Sequence, residues 1–265
     1  MFMDKIDADI QKLFIEGDEH VEKHNFCTRL STKLLKRSYD RCSRTDVING
    51  IYIQTIFAAA MLQHVAGISH NDLKTDNVFV EFVNENTIFK GQSLINAQYY
   101  SYVINGKPIY FPAIPLIAKI GDFGISVKYT EPIVGDYTVF ENGYDQYDGS
   151  GPWVPNYPIS SYDALFFTTS FITNTTGFDS REMTELIKQC IFYMVPGLNF
   201  KKFDVGSQLV NMAYINPKNH RPVLENIRIV RGALDLLENP ILKYTSQKYK
   251  PSAGDVVVNL GILNV

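Results

Sequence analysis

Hydrophobic positions along this chain change their spacing several times, and each change marks an element. Ile6, Ile10, Leu13 and Phe14 recur at helical intervals in a polar stretch. Residues 4–44 are therefore expected to form one or two polar helices, packed near the segment that follows. From Val47 to Val65 the apolar residues Ile48, Ile51, Ile53, Ile56, Phe57, Ala58, Ala59, Ala60, Met61 and Leu62 cover most of a helix circumference, the mark of a buried helix. Thr45-Asp46 offers its cap and Gly67 its stop. Between residues 77 and 121 the period shortens. Val78-Phe79-Val80 and Ala118-Lys119-Ile120 read as short strands, and Tyr99–Phe111 alternates on either side of Asn105-Gly106, a pair that favours a tight hairpin. Residues 125–160, rich in Gly, Pro, Tyr and Asp, read as a long ordered loop. Helices are expected again over about 161–174, 179–193, 204–214 and 222–237. The fold class that follows is α+β, mostly helical.

Composition narrows the function classes. Hydrophobic residues make up 45% and charged residues 20%, enough for a sizeable core. The net charge of -3 carries no basic excess, so no nucleic-acid partner is expected. The local run Lys33, Lys36, Arg37, Arg41 and Arg44 reads as a solvated helix face. Cys27, Cys42 and Cys190 are odd in number and contain no C-x-x-C, which argues against a zinc site or redox pair and for free thiols in a reducing compartment. No long apolar run follows the N-terminal methionine, and no stretch approaches the roughly 18 apolar residues of a membrane span. An intracellular, cytoplasmic protein without membrane contact is the expectation.

The densest chemistry lies at His70-Asn71-Asp72-Leu73-Lys74-Thr75-Asp76-Asn77, between the buried helix and a strand. A second string, Lys119-Ile120-Gly121-Asp122-Phe123-Gly124, follows another short strand. The first resembles the protein-kinase catalytic loop, H-x-D-x-K-x-x-N, and the second resembles the kinase D-F-G segment. Taken singly, Asp-Phe-Gly can mark an ordinary turn, and Asp72 and Asp76 can be loop or capping residues; two strings in the family's order weaken those alternatives. Phosphoryl transfer needs positioning and charge neutralisation more than covalent work. By resemblance, Asp72 would accept the proton of a substrate hydroxyl and Lys74 would neutralise charge on the transferred phosphate. Asn77 and Asp122 would hold magnesium through oxygen, and Phe79 would contribute to the adenine floor of an ATP site. Lys74 resembles the serine/threonine-specific form of the loop. His70 and Phe123 would be packing residues that keep the two strings in register.

The resemblance runs from about residue 45 to 245. Ser161-Tyr162-Asp163-Ala164-Leu165 looks like the start of the central helix of the kinase large lobe, where Asp163 would anchor the catalytic-loop backbone; a plain capping aspartate is the alternative. His220-Arg221-Pro222 and Ala233–Pro240 resemble the closing helices, with Arg221 a structural ion-pair partner. The implied organisation is a helical N-terminal extension over 1–44, a kinase-like C-terminal lobe over 45–250 and a tail over 251–265.

Four departures set limits on the resemblance. Only 69 residues precede His70, and they contain no G-x-G-x-x-G and no V-A-I-K string, so a recognisable small lobe is expected to be missing from this chain. Asn71 stands where many kinases carry the arginine that receives an activation-loop phosphate, which puts that mode of control in doubt. Forty-four residues separate Asn77 from Asp122 and include an insertion over about 83–117. Its Tyr102–Pro112 hairpin and the Asn71 variant look like kinase-like proteins of large DNA viruses. No A-P-E string follows Asp-Phe-Gly; Gly151-Pro152-Trp153-Val154-Pro155 takes its approximate place, with Thr130, Thr138, Ser150 and the nearby tyrosines as candidate phosphosites, although any loop offers such hydroxyls.

Two functions follow from the resemblance. One is a serine/threonine kinase that uses ATP and magnesium on a protein substrate, with its small lobe supplied by a partner. The other is a catalytically inactive, pseudokinase-like scaffold or structural component of an assembly, including a virion. A regulatory subunit docking onto a complete kinase is a third reading.

Overall fold

Ser43 and Asp46 start the helix around which the fold is organised. The Asp46 amide donates to Ser43 Oγ (3.2 Å) and the Ser43 amide to Asp46 Oδ2 (2.8 Å), a reciprocal capping box that places the cap two residues before Thr45. The computed structural model describes residues 8–10, 42–128, 159–177, 179–199, 201–218, 221–223, 226–240, 242 and 247–265.

Helix α1 (Arg44–His64) ends just before Gly67, whose φ of 64° turns the chain out of the helix. By length and composition α1 could cross a membrane, which the sequence reading did not expect; in the fold most of it is buried. Its two buried polar side chains are satisfied. Thr55 donates to the Ile51 carbonyl, and Gln54 donates to the Leu116 carbonyl while accepting from the Ala118 amide (2.8 Å).

The strands form four small sheets among the described residues. Strand β1 (Ala8–Asp9), β3 (Val78–Phe82) and β8 (Leu116–Ile120) form an antiparallel sheet in the order β1-β3-β8. Strand β2 (Ile68–Ser69) pairs with β9 (Val127–Lys128), and β4 (Ile88–Phe89) with β5 (Gln92–Ser93). Strands β6 (Tyr99–Ile104) and β7 (Lys107–Pro112) form the expected hairpin; Asn105 (φ 48°) and Gly106 (φ 74°) both take the left-handed backbone that such a turn requires. Gln54 covers the outer edge of β8 and so joins that sheet to α1.

Five α-helices fall among the described residues: α1, then α2 (Tyr162–Thr176), α3 (Glu185–Met194), α4 (Val205–Asn211) and α5 (Ala233–Leu237). Helix α2 packs on α1 through the rings of Tyr52, Phe167 and Phe171, with the Tyr52 hydroxyl 3.0 Å from Thr168 Oγ1. Burial pushes the Tyr52 hydroxyl well above its ordinary pKa.

The α+β class holds, and the structure corrects the element plan in three places. Ala8–Asp9, expected within a helix, are extended and pair with Val80 and Phe79; the remainder of 1–41 lies outside the described residues. Sheet pairing here overrides a helical spacing defined by few residues. The helix expected over 222–237 is replaced by a 3-10 turn (Ile227–Ile229) and α5, with Val230 in extended backbone after the turn and Gly232, at the start of α5, so close to the Ser160 carbonyl that a Cβ would sit 2.6 Å from it. Residues 251–265, expected as a tail, contain strand β10 (Val257–Leu263), which pairs in parallel with β6. A bulge between Asn259 and Gly261 brings the Gly261 backbone against the Phe57 ring of α1, whose centroid also lies 4.3 Å from that of the tilted Tyr102 ring. The expected loop over 125–160 contributes β9; residues 129–158, with the Gly151–Pro155 string and the candidate phosphosites, lie outside the described residues.

Candidate functional site

The segment from Ile68 to Asn77 is short, polar and largely buried, so its backbone groups need fixed partners. Asp163, in the first turn of α2, supplies them. Its Oδ1 accepts from the Asn71 amide (2.7 Å), and its Oδ2 accepts from the His70 amide (2.8 Å), Ser69 Oγ (3.0 Å) and Gln63 Nε2 (3.3 Å). The carboxyl group is buried, so these bonds replace water. At the other end of the segment, Ser170 Oγ of α2 accepts from the Thr75 amide (3.1 Å), and Thr75 Oγ1 accepts from Asn174 Nδ2. One helix thus grips the loop at both ends.

His70 ties the loop to the second string. Its Nδ1 accepts from the Asp72 amide (3.3 Å), which leaves Nε2–H to donate to the Gly121 carbonyl (2.8 Å). The imidazole also packs at a tilt against the Phe123 ring, with centroids 4.9 Å apart. The Gly121 amide donates to the Asn77 carbonyl (3.0 Å), so the two strings are joined through both imidazole and backbone. Gly121 is required at this crossing, since a Cβ would lie 2.6 Å from the Phe79 ring.

Three of the sequence-predicted site residues meet directly. Asn77 Nδ2 donates to Asp72 Oδ2 (2.9 Å) and to the Asp72 carbonyl (2.8 Å). Lys74 Nζ stands 3.6 Å from Asp72 Oδ2 and 4.0 Å from Asp76. Asp122 follows the anchored Gly121, with a left-handed φ of 56° and an exposed side chain that no hydrogen bond among the described residues joins to Asp72 or Asn77. Phe79 is half-buried on β3 against Gly121. No group of three His, Cys, Asp or Glu residues able to hold a metal occurs among the described residues. The oxygen donors on offer are the Asn77 side-chain carbonyl, whose amide nitrogen is already committed, and the Asp122 carboxylate.

One contact could not be read from the sequence. Arg221, expected to be in an ion pair with an unnamed partner, places Nη2 on Asp72 Oδ1 and Nη1 3.4 Å from the Asn71 carbonyl. Its guanidinium lies over the Phe166 ring, 5.0 Å from the centroid. Burial raises the Tyr162 hydroxyl far above its ordinary range, and the neighbouring Arg221 charge and hydrogen bond pull the other way. The pair spans 149 positions, so no local pattern could signal it. Asn71 adopts a left-handed φ of 65° and donates from Nδ2 to the Ile125 carbonyl (3.2 Å), while its buried Oδ1 has no hydrogen-bond partner.

A pocket of about 310 Å3 between the β6–β7 turn, Leu237, Glu238 and Lys250 lies away from this constellation. No family model matches this chain, and no curated protein matches it.

Proposed function

We propose that this chain is the large-lobe portion of a serine/threonine protein-kinase-like phosphotransfer unit that takes its small lobe from outside these residues. The observation that carries this reading is the loop itself. A buried carboxylate, Asp163, holds two consecutive loop amides, and the loop so held brings Asp72, Lys74 and Asn77 into contact. Positioning of this kind is what phosphoryl transfer asks of a protein.

In this reading Asp72 accepts the proton of a protein hydroxyl as the γ-phosphate of ATP is transferred. Lys74 neutralises charge on the phosphate. The Asn77 carbonyl oxygen and the Asp122 carboxylate would hold magnesium; both are hard oxygen donors, and magnesium fills its remaining positions with water and phosphate oxygens. Phe79 would lie under the adenine. These residues contain no glycine-rich phosphate cradle, so the small lobe would supply it together with the strand lysine. The Phe123 ring, 45% exposed beside Asp122, is apolar surface that such a lobe would cover.

A second reading is favoured by a specific contact. Arg221 occupies Oδ1 of Asp72, the residue that would act as base, which suits a catalytically inactive scaffold or a structural component of a viral assembly.

Thermal unfolding with and without magnesium-ATP, on the chain and on Asp122→Asn, separates the two. A ligand at a hundredfold excess over its dissociation constant adds about 2.7 kcal/mol, or roughly 5–10 °C for a chain of this size. A magnesium-dependent rise that disappears in Asp122→Asn supports nucleotide binding at this site. No rise at millimolar nucleotide favours the scaffold.

A further inference from the structure

The Asp72 carboxylate is held differently at its two oxygens. Oδ1 faces Arg221, whose guanidinium is backed by the Phe166 ring and also reaches the Asn71 carbonyl. Oδ2 faces Asn77 Nδ2 and Lys74 Nζ. The Arg221 and Asp72 side chains are each 15% exposed, so water competes only weakly for either. A carboxylate gripped by separate donors at its two oxygens cannot turn about its terminal bond without breaking one of them. A planar guanidinium suits this task, because one fork can serve two acceptors at once; a lysine ammonium on a flexible stem does so less well.

We propose that Arg221 is a positioning residue: it takes Oδ1 of Asp72 and thereby presents Oδ2 to the face shared with Lys74 and Asn77. The substrate side of the site then meets one defined oxygen of the carboxylate. The assignment of that face to a substrate rests on the phosphotransfer reading; the coupling from Arg221 through Asp72 to Asn77 follows from the geometry alone.

The test uses the full chain, isotope-labelled, and reads the side-chain amide resonances of Asn77 by NMR. The hydrogen bonds of the Asn77 amide go to Asp72 and not to Arg221, so a role confined to packing on Phe166 would leave its resonances in place. Arg221→Gln is expected to shift both resonances, because the freed carboxylate no longer holds Oδ2 on the amide. Arg221→Lys, which retains the charge, should return them part of the way. The proposal is overturned if a folded Arg221→Gln chain keeps the wild-type Asn77 resonances, or if Lys displaces them as far as Gln does. Should Arg221→Gln fail to fold, Asp72→Asn gives the reverse measurement: the Arg221 Nε resonance must shift, and an unchanged one overturns the proposal. Neither result depends on nucleotide, so failure of the phosphotransfer reading remains a separate outcome, read from the magnesium-ATP experiment.

Discussion

Replacing Asp163 with alanine tests whether one carboxylate holds the loop. The substitution removes the acceptor for the His70 and Asn71 amides, at 2.8 and 2.7 Å, and for Ser69 Oγ and Gln63 Nε2. Ser69, His70 and Asn71 are all buried, so water cannot readily replace the lost acceptor. Each buried amide left unpaired costs about 1–3 kcal/mol, so the two together cost roughly 2–6 kcal/mol. That is a large part of the about 5–15 kcal/mol by which a typical domain is stable. At about 2–4 °C per kcal/mol, the midpoint of thermal unfolding should fall by roughly 4–24 °C, with the centre near 12 °C. Amide hydrogen exchange at His70 and Asn71 should also rise more than exchange in α3, which touches neither. Differential scanning calorimetry and exchange mass spectrometry read these two outcomes. A midpoint within about 2 °C of wild type, with exchange at His70 and Asn71 unchanged, would show that the loop is held by something other than Asp163.

Gly261→Ala builds a Cβ 2.4 Å from the Phe57 ring, and overpacking of this kind costs about 1–3 kcal/mol, measurable by urea unfolding; Phe57→Leu in the same chain should recover part of the loss. The buried Cys190 thiol is pushed up from 9.0 to about 12 by desolvation. Its folded pKa lies above its unfolded one, so its contribution is full below pH 9 and is lost as pH rises toward 12. Unfolding free energy should therefore fall between those limits, and Cys190→Ala should make the slope shallower by up to about 1.36 kcal/mol per pH unit. Equal slopes in the two chains would refute the assignment.

Several features were legible in the sequence because their causes are local. The buried helix followed from apolar residues around most of its circumference. The β6–β7 hairpin followed from Asn105-Gly106, which accept a left-handed backbone. The two strings around Asp72 and Asp122 could be singled out because their residue types and spacing are contiguous. The anchoring role expected for Asp163 is present as a set of hydrogen bonds.

Other features depended on pairing that no local window contains. Ala8–Asp9 lie in a helical spacing yet pair with β3, since a sheet edge offers their amides and carbonyls partners in register. Val257–Leu263 became a third strand because β6 presented an open edge and Gly261 could pass close to Phe57. Arg221 met Asp72 because the fold brought positions 149 apart to the same side of α2, where the Phe166 ring supports the guanidinium. The sequence by itself determined the long buried helix, the β6–β7 hairpin and the chemically dense loop, because propensity and periodicity act over a few residues. Only the tertiary structure decided which strand edges were filled and which cation reached the Asp72 carboxylate, because those outcomes depend on distances that exist once the chain has packed.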